Sequence, residues 1–157
     1  MAIKFPLTIY YDASCPLCAG EMHALKTHDR EDRLLLVDCS APEFVTPHDG
    51  NGVTRAMMMA RIHARDATGL WWSGIDVFEA AYRAAGFTRC ARIYGSRFLR
   101  PLLDRVYPWI ADHRQRLSRL GLDRAFWMIA QAGVGRSERA ARCASCATAT
   151  PRVSRRP

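Results

Sequence analysis

The pattern of hydrophobic and polar positions predicts a strand, a helix and a second strand within the first forty residues. Residues 5–11 are mostly β-branched or aromatic, as in a buried strand. A helix can begin at Pro16, which suits the first helical position, and end near His28. The apolar run at residues 34–37 predicts an interior strand, and this order implies a right-handed parallel crossover. The predicted helix carries one apolar stripe: Cys18, Met22 and Leu25.

A long connection follows the second strand. Turn-forming residues dominate residues 40–52. Thr54 can then cap a short helical turn through residues 57–59, which are all methionine. Alternatively, these methionines open the next strand, and we favour a strand over residues 60–65.

A hairpin and an amphipathic helix are predicted next. The sequence at residues 66–69 is typical of a turn, and a strand restarts at residues 70–72. Residues 75–85 have apolar side chains at helical spacing, and Gly86 provides the stop signal. The order of elements is therefore that of a mixed α/β domain.

The second half of the chain is predicted to be mainly helical. Residues 101–120 have one apolar face, and Pro108 predicts a kink or a break in this helix. Asp123 can cap a further short helix that ends at Gly133. Residues 134–157 are small, polar and basic without an apolar period, which predicts a disordered arginine-rich tail.

Length and composition fit one folded domain at residues 1–133 followed by that tail. The chain has 157 residues, of which 49% are hydrophobic and 24% charged, which excludes collagen-like, coiled-coil and wholly disordered proteins. No apolar run approaches the roughly 18 residues that a membrane span needs. The N-terminus lacks the apolar stretch of about 7–15 residues that a secretory signal carries. We therefore expect a cytoplasmic protein with no membrane contact.

The net charge of +8 is concentrated in the second half of the chain. Residues 1–88 carry 8 basic and 11 acidic side chains, whereas residues 89–157 carry 15 basic and 4 acidic ones. This basic half is either a surface for an acidic partner or a solvated arginine-rich face. No helix-turn-helix, zinc-finger or RNA-binding signature accompanies the charge. The second interpretation is favoured, so we expect no nucleic-acid partner.

Two Cys-x-x-Cys pairs are the most informative feature of the sequence. The first, Cys15-Pro16-Leu17-Cys18, lies between the predicted first strand and first helix. The positive end of a helix favours a thiolate and lowers a cysteine pKa from about 8.5 into a range of about 3.5–7.5. Cys18, one turn further along, is expected to be shielded yet able to attack a mixed disulfide at Cys15. This context favours redox chemistry over half of a metal site or two unrelated buried thiols.

Asp12 lies at the end of the first strand, three residues before Cys15. Its carboxyl group could take the proton that Cys18 must lose before it attacks. It could equally cap the helix or close the turn. The sequence leaves these roles open.

The remaining cysteines have weaker signals. Cys143 and Cys146 form the second pair, and we rank an inert role first, a redox shuttle to the first pair second and a shared zinc site third. Cys39 is expected to be a packed small hydrophobe, and Cys90 to pack against a helix. The histidines lack paired metal spacing, so we assign no metal ligand and no bound cofactor.

The segment Tyr11-Asp12-Ala13-Ser14-Cys15-Pro16-Leu17-Cys18 resembles the Asp-x-x-Cys-x-x-Cys signature of the DCC family of thiol-disulfide oxidoreductases, which belongs to the thioredoxin-like superfamily. The resemblance covers about residues 5–120. It implies a thioredoxin-like βαβ…ββα core with additional C-terminal helices. Other stretches that fit the family pattern are residues 36–38, 61–69, 74–78 and 106–114.

The resemblance also implies site residues and an activity. Cys15 is the implied nucleophile, Cys18 the resolving thiol and Asp12 the acidic residue of the signature. Ala13 stands where the family usually has glycine, and residues 53–60 lack the proline that thioredoxins place opposite their cysteines. The expected function is a protein-disulfide reductase that acts on a protein or small-molecule disulfide and is restored by a thiol electron donor. The alternative is a non-catalytic binding module whose cysteine pairs hold zinc and whose basic surface docks an acidic partner.

Overall fold

The computed structural model describes residues 2–48 and 52–119. Four strands form one mixed sheet in the order β2-β1-β3-β4. Strand β1 is parallel to β2 and antiparallel to β3, and β3 pairs antiparallel with β4. This is the predicted thioredoxin-like α/β core. The elements in chain order are β1 (Leu7–Tyr11), α1 (Pro16–His28), β2 (Leu34–Asp38), α2 (Arg55–Ala60), β3 (His63–Arg65), β4 (Trp71–Ser73), α3 (Ile75–Ala84), α4 (Thr88–Tyr94) and α5 (Arg100–Arg119).

The hydrophobic core lies between the sheet and helices α1 and α3. Strand β1 is central, and its Leu7 and Ile9 are completely buried. Helix α1 contributes Met22 and Leu25, as its predicted stripe requires, and α3 contributes Val77. The chain therefore fixes the end of β1 and the start of α1 against a packed core.

The prediction that the second strand is interior is wrong. Strand β2 is an edge strand that pairs only with β1 within the sheet. Leu34 is completely buried, but Leu35 is 42% exposed. Leu34 and Leu36 pack on the main core, and Val37 packs on a smaller cluster formed by Tyr10, Cys39 and Met58. The apolar run therefore reflects packing on the faces of the strand, and it does not require a neighbouring strand at both edges.

The methionine segment forms a helix before the third strand begins. Helix α2 has Thr54 as its N-cap, and the Thr54 side chain accepts a hydrogen bond from the Met57 backbone N–H. Met58 is buried at 1% exposure, whereas Met57 is 46% exposed. The strand that we favoured over residues 60–65 is therefore confined to His63–Arg65.

Helix α5 continues through Pro108 without a break, and a kink at this residue stays a prediction. Tertiary hydrogen bonds hold α5 on both sides of this proline. The Tyr107 hydroxyl accepts from the Ile62 backbone N–H at 2.9 Å, and Arg114 donates to the Ala60 carbonyl at 2.9 Å. These contacts stabilise the helix where Pro108 removes a backbone donor.

Several sequence predictions fall outside the described residues. They include the helix from Asp123 to Gly133, the arginine-rich tail at residues 134–157 and the pair Cys143 and Cys146. Within residues 2–48 and 52–119, no helix is both long and apolar enough to cross a membrane.

Candidate active site

The first cysteine pair lies where β1 ends and α1 begins. Cys15 is the N-cap residue of α1, and Pro16 occupies the first helical turn, as the sequence predicts. The Cys15 Sγ accepts hydrogen bonds from the Cys18 backbone N–H at 3.4 Å and from the Cys18 thiol at 2.9 Å. Both cysteines are free thiols. The two sulfurs are thus poised as a hydrogen-bonded dithiol.

The two cysteines are electrostatically unequal. The hydrogen bond from the Cys18 thiol is the largest cause that lowers the pKa of Cys15 from 9.0 to about 6. The Cys18 backbone N–H and the Arg114 cation act in the same direction, while burial opposes them. The pKa of Cys18 is raised because its thiol donates this hydrogen bond and is itself buried. Cys15 is therefore the cysteine of the pair that favours the thiolate form.

The accessibility of the pair differs from the sequence expectation. Cys15 is completely buried at 0% exposure, while Cys18 is partly exposed. Helix α5 packs on α1, and its Arg114 reaches the loop that precedes Cys15. Reaction of Cys15 with a macromolecular disulfide therefore requires a local opening of this region.

Asp12 closes the turn before the cysteines rather than capping α1. Its Oδ1 accepts hydrogen bonds from the Ser14 N–H at 3.0 Å and the Ser14 hydroxyl at 2.5 Å. Its Oδ2 accepts from Arg114 Nη2 at 2.8 Å, and Asp12 is only 4% exposed. At the end of β2, Asp38 holds the same turn by accepting from the Ala13 N–H at 3.1 Å. Asp12 therefore lies beside the cysteines, and its predicted role as a proton acceptor stays a prediction.

Arg114 is a residue of this site that no local sequence pattern indicates. It bonds Asp12 and the carbonyl groups of Met59 and Ala60, so it joins α5 to the end of α2. Asp12 and Arg114 are 102 positions apart in the chain. The sequence signal that points to Arg114 is its position at the end of residues 106–114, a segment that resembles the DCC family pattern.

A cavity of about 380 Å³ opens beside Cys18. Its wall is formed by α1, α3, α4, α5 and the segment before β3, and most of the lining is apolar. Representative apolar residues of this wall are Leu17, Ile62, Phe78, Val106 and Ile110. Its volume lies at the lower end of the range for small-molecule sites.

Glu21 is an acidic residue in the wall of this cavity that the sequence analysis did not identify. It follows Cys18 by one helical turn and accepts a hydrogen bond from the Tyr82 hydroxyl at 2.9 Å. Burial raises the pKa of Glu21 from 4.5 to about 7, and the bond from Tyr82 opposes this shift. In the sequence, Glu21 looks like an ordinary polar position of an amphipathic helix.

The other described cysteines do not join the pair. Cys39 is completely buried, as expected, and its Sγ lies 3.8 Å from Met58 Sδ. Burial raises the pKa of Cys39 to about 12, so it is a poor nucleophile at neutral pH. Cys90 is partly buried and packs against the core, as expected. Within the described parts of the chain, no three His, Cys, Asp or Glu side chains converge as a metal site.

The fold and the paired cysteines at the start of α1 define a thioredoxin-like protein with a dithiol. A model of the DCC1-like thiol-disulfide oxidoreductase family matches residues 9–120, and this chain belongs to that family. An uncharacterized chloroplastic protein of Arabidopsis thaliana is 26% identical over 116 residues, which cover 73% of this chain and 54% of that protein. The chain thus spans about half the length of this relative. No solved structure matches the chain. The family membership supports a redox function.

Proposed function

We propose that this chain is a protein-disulfide reductase in which Cys15 is the nucleophile and Cys18 is the resolving thiol. The observation that carries the proposal is the 2.9 Å hydrogen bond from the Cys18 thiol to the Cys15 sulfur, together with the lowered pKa of Cys15. A thiolate is the nucleophile in thiol-disulfide exchange, and a nearby second thiol can resolve the mixed disulfide.

The proposed reaction has two exchange steps. The Cys15 thiolate attacks one sulfur of a substrate disulfide, forms a mixed disulfide and releases the first substrate thiolate, which takes a proton from solvent. Cys18 then loses its proton and attacks Cys15 Sγ. This step forms the Cys15–Cys18 disulfide and releases the second substrate thiolate. Two electrons pass from the protein to the substrate, and a cellular thiol donor returns them.

Arg114 supports this reaction in two ways. Its positive charge favours the Cys15 thiolate, and its bond to Asp12 ties α5 to the loop before the cysteines. A local opening at the start of α1 would expose Cys15 to a protein or small-molecule disulfide. The cytoplasmic location expected from the sequence would supply the thiol donor, because the cytosol keeps thiols reduced.

The experiment is a disulfide-exchange assay with the full chain and its cysteine variants. We expect Cys15→Ser to abolish exchange and Cys18→Ser to accumulate a mixed disulfide at Cys15, detected by mass spectrometry. Cys90→Ser is the matched control, and it should exchange like the wild type because Cys90 lies outside the dithiol. Full activity of both Cys15→Ser and Cys18→Ser would contradict the proposal. Tightly bound zinc with unreactive thiols would instead support the binding module.

A further inference from the structure

The resolving step needs a proton acceptor that the dithiol alone does not provide. In the resting protein, the Cys18 thiol donates its hydrogen bond to the Cys15 sulfur. Once Cys15 is bound to substrate in a mixed disulfide, it is no longer a thiolate and cannot stabilise or accept this proton. Cys18 must then transfer its proton to another group before it can attack Cys15.

Asp12 is already engaged elsewhere. Both of its carboxylate oxygens accept hydrogen bonds, Oδ1 from Ser14 and Oδ2 from Arg114. In the structure Asp12 is therefore the partner of Arg114 and of the turn before Cys15.

Glu21 lies where such an acceptor is needed. Residues three positions apart on a helix are neighbours on its surface, and Cys18 and Glu21 both line the cavity between α1, α3 and α5. The ionised Glu21 carboxylate disfavours the Cys18 thiolate, so the two groups interact through space. The cavity has room for water, so a proton can pass directly or through one water molecule.

We propose that Glu21 accepts the proton of Cys18 during resolution of the mixed disulfide. The proton moves from Cys18 Sγ to the Glu21 carboxylate, and the Cys18 thiolate forms its bond to Cys15 Sγ. The bond between Cys15 and the substrate sulfur breaks, and the departing substrate thiolate takes up the proton from Glu21 or from solvent. Atoms and electrons are thereby balanced without any further oxidant or reductant. This inference rests on the proposed reductase function.

The environment of Glu21 fits this role. Its pKa of about 7 allows it to accept and release a proton near neutral pH, which is the condition for an efficient general base. The tyrosines that interact with it stay protonated, because burial raises their pKa values. Tyr82 from α3 contacts Glu21 directly. The other titratable and charged groups that line the cavity are Cys18 from α1, Tyr11 from β1, Asp12 from the loop after β1, Arg61 from the segment before β3, Tyr94 from α4, and Tyr107 and Arg114 from α5.

The test measures attack and resolution separately in the full chain. The reduced protein is mixed with a small aromatic disulfide, quenched in acid at successive times and analysed by mass spectrometry for the mixed disulfide at Cys15. We expect Glu21→Gln, which keeps an acceptor for Tyr82, to form this adduct at the wild-type rate. Resolution should slow by about a hundredfold near pH 7, the lower limit of the usual contribution of a general base.

The pH profile of resolution separates a proton acceptor from a structural residue. We expect the wild-type rate to rise through an inflection near pH 7, which cannot come from Cys15 because Cys15 is then bound to substrate. Glu21→Gln should lose this inflection, and Tyr82→Phe should move it to higher pH because the Tyr82 bond lowers the pKa of Glu21. If Glu21→Gln does not fold, the inflection of the resolution rate in Tyr82→Phe decides: a move to higher pH supports the inference, and an unchanged inflection contradicts it.

Two results would overturn the inference while leaving the proposed function intact. One is that the wild-type chain exchanges disulfides and the Glu21→Gln variant resolves the mixed disulfide at the wild-type rate, with the same inflection in its pH profile. The other is loss of the inflection in Asp12→Asn but not in Glu21→Gln, which would make Asp12 the acceptor. Failure of the wild-type chain to exchange disulfides at all would instead refute the reductase function itself.

Discussion

The low pKa of Cys15 depends on one hydrogen bond that a single substitution can remove. In Cys18→Ala the thiol donor is lost, while the backbone N–H of residue 18 and the Arg114 cation stay near the Cys15 sulfur. The thiolate loses its strongest stabilising contact, so we expect the pKa of Cys15 to rise. Cys18→Ser is the matched control, because its hydroxyl can still donate to the Cys15 sulfur.

The size of the shift follows from the strength of a charge-assisted hydrogen bond. Such a bond contributes about 1.5–3 kcal/mol, and one pKa unit corresponds to about 1.4 kcal/mol. We therefore expect the pKa of Cys15 to rise from about 6 by about one to two units in Cys18→Ala. The shift in Cys18→Ser should be smaller.

The assay is alkylation of Cys15 with iodoacetamide as a function of pH, followed on the Cys15 peptide by mass spectrometry. The midpoint of the profile is a better readout than the rate at pH 7. A pKa of about 6 makes Cys15 about 90% thiolate at pH 7, against about 1% for an ordinary thiol of pKa 9.0. A less basic thiolate is also intrinsically less nucleophilic, which reduces the rate advantage to about three- to sixfold.

Two outcomes would refute this reasoning. A wild-type midpoint above about pH 8 would show that Cys15 lacks the stabilisation that its hydrogen bonds and Arg114 should provide. An unchanged midpoint in Cys18→Ala would show that the Cys18 thiol is not its cause. Peptide-level detection is required because the chain has six cysteines.

Three further substitutions test contacts around the site and the sheet. Arg114→Gln should raise the pKa of Cys15 and make the dithiol more reducing by up to about 30 mV at pH 7, measured in glutathione redox buffers; an unchanged potential would contradict the role of Arg114. Tyr107→Phe should leave the Ile62 N–H without its acceptor and lower the free energy of unfolding in urea by about 1–3 kcal/mol; wild-type stability would argue against this contact. Burial opposes ionisation of Asp66, but hydrogen bonds from the β3–β4 turn and from Trp72 lower its pKa overall. The stability that these bonds contribute is present above about pH 4 and is lost as the pH falls through the lower native pKa. Asp66→Asn should therefore lower the free energy of unfolding at pH 7 by about 1–3 kcal/mol, and this difference from the wild type should shrink at pH 3. An equal loss of stability at both pH values would contradict this reasoning.

Local sequence determined the elements that carry the cysteines. Three features determine local structure within a few residues of chain: the β-branched and aromatic residues of β1, the proline at the start of α1 and the Cys-x-x-Cys spacing. They placed Cys15 at the N-cap of α1 and Cys18 one turn later, as predicted. The helix α3 was also predictable, because its apolar face depends only on helical spacing.

Only the tertiary structure decided what surrounds the dithiol. The contact between Asp12 and Arg114 joins residues 102 positions apart and depends on how α5 packs on α1. The raised pKa of Glu21 has the same origin, because desolvation comes from neighbouring helices and not from the residue type. The edge position of β2 was likewise decided by which strands pair, since a short apolar run does not reveal how many neighbours it has.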